Sequence, residues 1–308
     1  MQGSLKYLGG AAGVAAALAF WIGTQQPSPG EPVSGSAKPV AEKSAAPPAA
    51  RVVDTIPSGA AQRVAPQPPG AAEMMRNSRD YRVVHEALAR AGTREARFYA
   101  KEILRYCRVL RQLGLREDVP ASHRQMAASE LVQARCSSFS NGELSTQALQ
   151  QIDTDARYPP GLEELSREWG DAGSSEERQK ALFAKALETN DPLLLQRVGL
   201  SYLGQDSGTV ELGGLTFTDG PTRDAMHMAW TAAVCEGTGT ECGAGEHYMV
   251  DICANADVCE DSRSSAMRAL VARAHGEIYL ATYDAAYAMF VKAIQARNVA
   301  FFFTQGPP

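Results

Sequence analysis

The chain has 308 residues, 44% hydrophobic and 21% charged, with a formal net charge of −5. This is enough apolar material for a real core. No phosphate loop, GxGxxG, HExxH or CxxC stretch occurs anywhere in it, which sets aside the nucleotide, dinucleotide, zinc-peptidase and thioredoxin-type chemistries that those motifs carry.

Residues Leu8 to Ile22 (LGGAAGVAAALAFWI) form an uncharged apolar run preceded by Lys6. Its length lies between a signal-peptide core and a membrane-spanning helix of about 20 residues. Lys6 and the α-amine favour an N-terminus inside and everything after Thr24 outside. Ala17-Leu18-Ala19 would suit a signal peptidase but sits within the run, so residues 1–23 are expected as a retained anchor, with a cleaved signal as the alternative. No cysteine precedes Cys107, which excludes a lipoprotein. Residues 24–72 follow as a second unit. Ten of the 17 prolines fall between Thr24 and Gly70, mixed with Ala, Ser and Gly. Such a stretch buries too little apolar surface to offset its ordering entropy, and as a flexible coil it would reach roughly 40 Å.

From residue 73 to 308 helix signals dominate. Thr93 can cap a helix in which Tyr99, Ile103, Cys107 and Leu110 recur at helical spacing, with Gly114 as its stop. Ser122 and Gln125 make a capping box ahead of Met126, Leu131, Val132 and Cys136. Glu163, Glu164 and Glu168 precede Trp169 on a short helix. Ser174 with Glu177 opens the helix of Leu182, Phe183, Ala186 and Leu187, and Asp191-Pro192 starts the next, with proline at its first position. Val210 to Thr218 (VELGGLTFT) reads as two short strands around Gly213-Gly214. Pro221 begins a helix running to Cys235, and a short one follows around Cys253. His275-Gly-Glu277 marks a helix break. Tyr283, Tyr287, Phe290, Val291 and Ile294 make a further apolar stripe, and Val299 to Phe303 (VAFFF) could extend or tuck into the core. The expected fold is mainly α: an irregular helical domain of eight or more helices with one hairpin near 210–218, stapled by disulfides.

Six cysteines, an even number, suit an oxidising space if the domain lies outside the membrane. Cys107 and Cys136 lie on two helices that could bring them within the ~5.5 Å a disulfide needs. Of the three pairings open to Cys235, Cys242, Cys253 and Cys259, the helix placement favours Cys235–Cys253 with Cys242–Cys259. A zinc site would draw on these four and His247, but no tight CxxC knuckle pre-forms half a tetrahedron, so no metal is expected. The module from Ala233 to Cys259 (AVCEGTGTECGAGEHYMVDICANADVC), with Ala229-Trp230 two turns before Cys235, resembles envelope proteins of Gram-negative bacteria. The likeness covers roughly 40 residues and implies a compartment, not an activity.

Charge is unevenly spread. Residues 73–150 carry 13 basic and nine acidic side chains, and residues 151–308 carry 12 and 23. Arg94, Arg97, Lys101, Arg105 and Arg108 share one helix face, opposite Tyr99, Ile103 and Leu110. Such a stripe reads as a solvated face, as a surface docked on the acidic half of the same domain, or as a site for a polyanion or acidic partner protein. It lacks the interleaved exposed aromatics that stack bases, so nucleic acid is not expected.

Catalytic candidates are few. A Glu163–Glu168 carboxylate could act as the general acid of a peptidoglycan-cleaving enzyme if an apolar pocket raised its pKa, although GLEELSREWGD lacks the surroundings of such enzymes. Asp224 and His227 lie at i, i+3, a spacing that more often gives a plain hydrogen bond than a dyad. The sequence therefore points to a membrane-tethered periplasmic helical protein of the bacterial inner membrane, with a binding or scaffold role toward an envelope protein or the cell wall. A peptidoglycan hydrolase is the alternative. No cofactor is expected.

Overall fold

The computed structural model describes residues 70–113, 122–173, 175–203, 210–213, 215–218 and 220–303. The apolar run, nearly all of the Pro/Ala segment and Gly114 lie outside them.

Short-range signals set most of the element boundaries. The first helix, α1 (Ala71–Asn77), leads to α2 (Tyr81–Ala91), where the Asp80 carboxylate accepts from the Arg82 amide and Gly92 ends the helix at φ 58°. Helix α3 (Ala96–Leu113) starts two residues later than a Thr93 cap would place it, because Arg94 and Glu95 form a turn whose Ala96 amide donates to the Thr93 carbonyl. Helix α4 (His123–Ser137) is capped by Ser122, whose hydroxyl accepts from the Gln125 amide. Then come α5 (Thr146–Thr154), α6 (Leu162–Gly170), α7 (Glu176–Thr189) and α8 (Pro192–Leu203). Ser174 lies outside the described residues, and Ser175 is the N-cap residue of α7. Asp191 caps α8 through the Leu194 amide at 2.8 Å, leaving Pro192 at the position where its missing N–H costs nothing.

Strands β1 (Val210–Leu212) and β2 (Leu215–Phe217) pair antiparallel with Val210 opposite Phe217. Gly213 sits in the turn at φ 55°, a conformation side chains rarely adopt. The C-terminal half holds α9 (Gly220–Gly237), α10 (His247–Ala256), α11 (Arg263–His275), a 3₁₀ turn at Glu277–Tyr279, α12 (Leu280–Gln295) and α13 (Val299–Phe303). The described residues thus form thirteen α-helices and one hairpin, a mainly α fold. None of these helices is long and apolar enough to cross a membrane.

Helix α9 is the axis of the packing. Its segment AMHMAWTAAVC has no continuous polar face, and residues 228–235 are all buried, as a helix surrounded by other helices requires. It lies along α12 and also packs on α8 and α11. Trp230 is fully buried, its ring 5.3 Å from Phe290 and 5.5 Å from Phe302. The VAFFF segment is a helix tucked inward rather than an extended piece. The Phe302 ring lies 4.6 Å from Phe183, tilted to it, and the Tyr202 hydroxyl donates to the Phe302 carbonyl at 2.5 Å. A second, smaller apolar cluster joins α4 to α10 through Ala128, Val132, Val250, Cys253 and Ala254.

All six cysteines are bridged. Cys107 and Cys136 join α3 to α4 with a Cα separation of 5.3 Å. The other two bridges correct the expected connectivity: Cys235 pairs with Cys242 and Cys253 with Cys259, not Cys235 with Cys253 and Cys242 with Cys259. The reason is local backbone reversal. After α9 the chain turns through Gly239 at φ 67°, and the Thr240 amide donates back to the Cys235 carbonyl at 2.8 Å, bringing Cys242 over its neighbour. After α10, Asp257 at φ 51° donates its amide to the Cys253 carbonyl and returns Cys259 to Cys253. Cys253 itself faces α4, away from the end of α9.

Candidate functional site

The arginine stripe of α3 is mostly spent inside the protein. Lys101 is buried, with its Nζ 2.6 Å from Glu163 Oε1 and 2.8 Å from Asp153 Oδ1. Arg105 reaches Glu102 Oε1 at 2.5 Å and Glu163 Oε1 at 3.2 Å, and Arg197 from α8 also binds Glu102. Arg97 donates to the Tyr158 carbonyl at 2.8 Å, and Arg108 to Thr146 Oγ1 at 3.2 Å. Of the five basic residues, Arg94 alone is exposed. Three cations and three carboxylates therefore form a charge-balanced network between α3, α5, α6 and α8, in which Glu163 Oε2 and Arg197 Nε are left without a hydrogen-bond partner among the described residues. Burial pushes the Glu102 carboxyl up, but the Arg197 and Arg105 guanidiniums outweigh it and hold it below the usual carboxylate range. Gly161 permits this docking: a Cβ there would stand 2.2 Å from the Arg94 carbonyl oxygen, which also accepts from the Leu162 amide. Removing one partner from such a buried network leaves an uncompensated charge and costs about 3–5 kcal/mol.

The same network fixes the role of Glu163. One of its oxygens is 2.6 Å from Lys101 and 3.2 Å from Arg105, the surroundings of a structural counter-ion rather than of a general acid in an apolar pocket. Glu164 is exposed and pairs loosely with Arg167 at 3.8 Å, and Glu168 is half-buried. Asp224 turns to His275, its Oδ2 lying 3.1 Å from Nε2, while His227 Nε2 approaches the Leu203 carbonyl at 3.4 Å. The structure thus joins Asp224 to a histidine 51 positions away rather than to the one at i+3.

A different group of residues converges on a cleft. It lies between α1, the start of α8, the loop before α10 and the start of α11, and its lining includes Arg76, Tyr99, Thr240, Glu246, His247 and Arg263. Its interior is about 40 Å³. Glu246 is the centre. It caps α10 by accepting from the Met249 amide, and its carboxylate lies 2.9 Å from Arg263 Nη2 and 2.5 Å from His247 Nδ1. Burial alone would raise this carboxyl, but Arg263, with His247 second, overrides it and holds it far below the usual range. Arg263 is itself buried, donating through Nη1 to Gln196 Oε1 at 2.8 Å and to the Thr231 carbonyl at 3.1 Å, with its guanidinium 5.2 Å from the Tyr248 ring. Gln196 also takes the Trp230 indole N–H on its backbone carbonyl, so the ion cluster and the aromatic core share one residue.

Behind the cleft the polarity continues. The Tyr99 hydroxyl donates to Asp191 Oδ2 at 2.8 Å, and burial pushes the Asp191 carboxyl up to about 6 against that bond and the Leu194 amide. Asp251, one turn after His247, is pushed up to about 6 by burial, with His247 and the Asn255 amide acting in the opposite direction. Arg135, fully buried on α4, ties the cleft walls together: its guanidinium donates to the carbonyls of Arg76, Ser78 and Gly245 at 2.9, 3.0 and 2.8 Å.

The sequence marked none of these as a site. Asp191 carries the local signature of a helix cap, Glu246 does not belong to the residues that usually cap helices, and their long-range partners have no sequence signal. His247 was weighed there only as a zinc ligand beside cysteines that are all in disulfides. Comparison with protein-family models, with curated proteins and with solved structures finds no match.

Proposed function

We propose that the chain is an exported binding protein of the bacterial envelope. In this reading residues 8–22 anchor it in the inner membrane, the Pro/Ala-rich segment is its tether, and the helical domain meets an envelope protein or the cell wall from the periplasmic side. One observation carries the reading: every cysteine is in a disulfide, leaving no free thiol. Three bridges in one domain are typical of oxidising compartments and rare where glutathione and thioredoxin keep thiols reduced. A binding role fits better than hydrolysis because Lys101 and Arg105 hold the Glu163 carboxylate as a counter-ion.

The test is a pair of fusions after Pro308, one to alkaline phosphatase and one to a reporter active only in the cytosol, combined with mass mapping under non-reducing conditions. The expected result is phosphatase activity and peptides linked Cys107–Cys136, Cys235–Cys242 and Cys253–Cys259. An active cytosolic reporter, or six alkylatable thiols in protein taken from its native compartment, would overturn the proposal.

A further inference from the structure

The cleft beside α1 presents more hydrogen-bond donors than the protein itself accepts. Arg76 lines the cleft and donates one guanidinium N–H to the Glu241 carbonyl, and no described group accepts from the others. Thr240 accepts from the Thr238 hydroxyl at 2.9 Å, and its own proton has no acceptor among the described residues. His247 is anchored through Nδ1 on Glu246, and no described group bonds its Nε2. Beneath them Arg263 is 4% exposed, and its Nε–H has no partner among the described residues. Of the two carboxylates in the lining, one is already paired. Glu246 is held by Arg263, His247 and the Met249 amide, and Glu241 is exposed.

Positive and neutral donors converging on a small opening describe an oxyanion receptor. The size narrows the class further. An interior of about 40 Å³ has room for a small group such as a carboxylate. The remainder of a larger ligand would stay in solvent. Guanidinium recognises a carboxylate with paired parallel N–H bonds, and the His247 imidazole lines the same opening as Arg76.

We propose that this cleft binds the carboxylate group of a ligand, with Arg76, Thr240 and His247 touching its oxygens and Arg263 supplying positive charge from below. The assignment deepens the binding reading but does not depend on the compartment. A failed topology experiment would leave the cleft intact, and a failed ligand experiment would leave the export reading intact.

The test uses the full chain in detergent, oxidised and labelled with ¹⁵N-histidine. Acetate and N-acetylglycine are titrated while the imidazole nitrogens of His247 are followed by NMR, with chloride and N-acetylglycinamide as controls at matched ionic strength. Both carboxylates should shift the His247 signals saturably, and neither control should. Arg76→Ala should weaken acetate binding about tenfold or more, the equivalent of one charge-assisted hydrogen bond. If Arg76→Ala loses its far-UV circular dichroism, Thr240→Val replaces it, since that change leaves α1 undisturbed. Absence of a saturable shift, an equal response to chloride or to the amide, or unchanged affinity in the folded variant would each overturn the assignment.

Discussion

Replacing Gly199 with alanine tests how tightly α8 and α9 are packed. A Cβ at residue 199 would lie 2.1 Å from Trp230 Cε2, 2.2 Å from Cζ2 and 2.3 Å from Nε1, whereas carbon atoms in contact settle near 3.5–4.0 Å. The indole would have to retreat by about 1.5 Å. It has nowhere to go, since Trp230 is fully buried among Phe183, Phe290 and Phe302. Moving it also strains the bond from its Nε1 to the Gln196 carbonyl at 3.3 Å. Overpacking costs about 1–3 kcal/mol, and a buried donor left without its acceptor about 1–3 kcal/mol more. Alanine recovers about 1 kcal/mol of helix propensity. The clash wins, and Gly199→Ala should lose about 2–4 kcal/mol, lowering Tm on the order of 10 °C for a domain of this size. Thermal and urea unfolding followed by far-UV circular dichroism measure this directly. Gly170→Ala is the matched control, because a Cβ there meets nothing within 4 Å, and the substitution should be neutral or slightly stabilising. A Gly199→Ala protein as stable as the parent would refute the packing argument.

The bridges and the buried acid at Asp251 give two further expectations. In the loop-entropy account, removing the Cys107–Cys136 pair, 29 positions apart, as a double alanine variant should cost about 3.6 kcal/mol. The Cys235–Cys242 and Cys253–Cys259 pairs, seven and six positions apart, should cost about 2.4 kcal/mol each. Urea midpoints that rank the long bridge at or below the short ones would contradict the account. Asp251 has a folded-state pKa near 6, raised above its unfolded value of 3.8, so the fold favours its protonated form. That contribution is complete below the unfolded value and is lost as pH rises through about 6. Asp251→Asn should therefore stabilise the protein at pH 7.5 by up to roughly 3 kcal/mol and make no difference at pH 3. Equal gains at both values would show that burial of its charge is not the cause.

Periodicity and caps made the helices readable because both are local. Ser122 and Asp191 can be found in a line of text, and the apolar stripe of α3 buries as its spacing requires, with Tyr99, Ile103 and Cys107 all in the core. The two glycines at 213 and 214 likewise announce the hairpin. What could not be read was what covers each face. Lys101 and Arg105 look like a solvated stripe until α6 brings Glu163, some 60 residues away, against them. The Glu246–Arg263 pair is hidden for the same reason, and glutamate is not among the residues that usually mark a cap. Cys107–Cys136 was legible, but the other two bridges escaped because they turn on left-handed residues after two helices. Asp257 can adopt that conformation without its identity demanding it, so Cys253 gives no hint that its mate lies just beyond the turn.

The pattern of bridges has a consequence for how the chain matures. Each cysteine pairs with the next one along, first with second, third with fourth, fifth with sixth. A polypeptide emerging N-terminus first into an oxidant can therefore lock each link as soon as its second member arrives, before any wrong mate is within reach. Such an order needs no reshuffling enzyme, only one that donates disulfides.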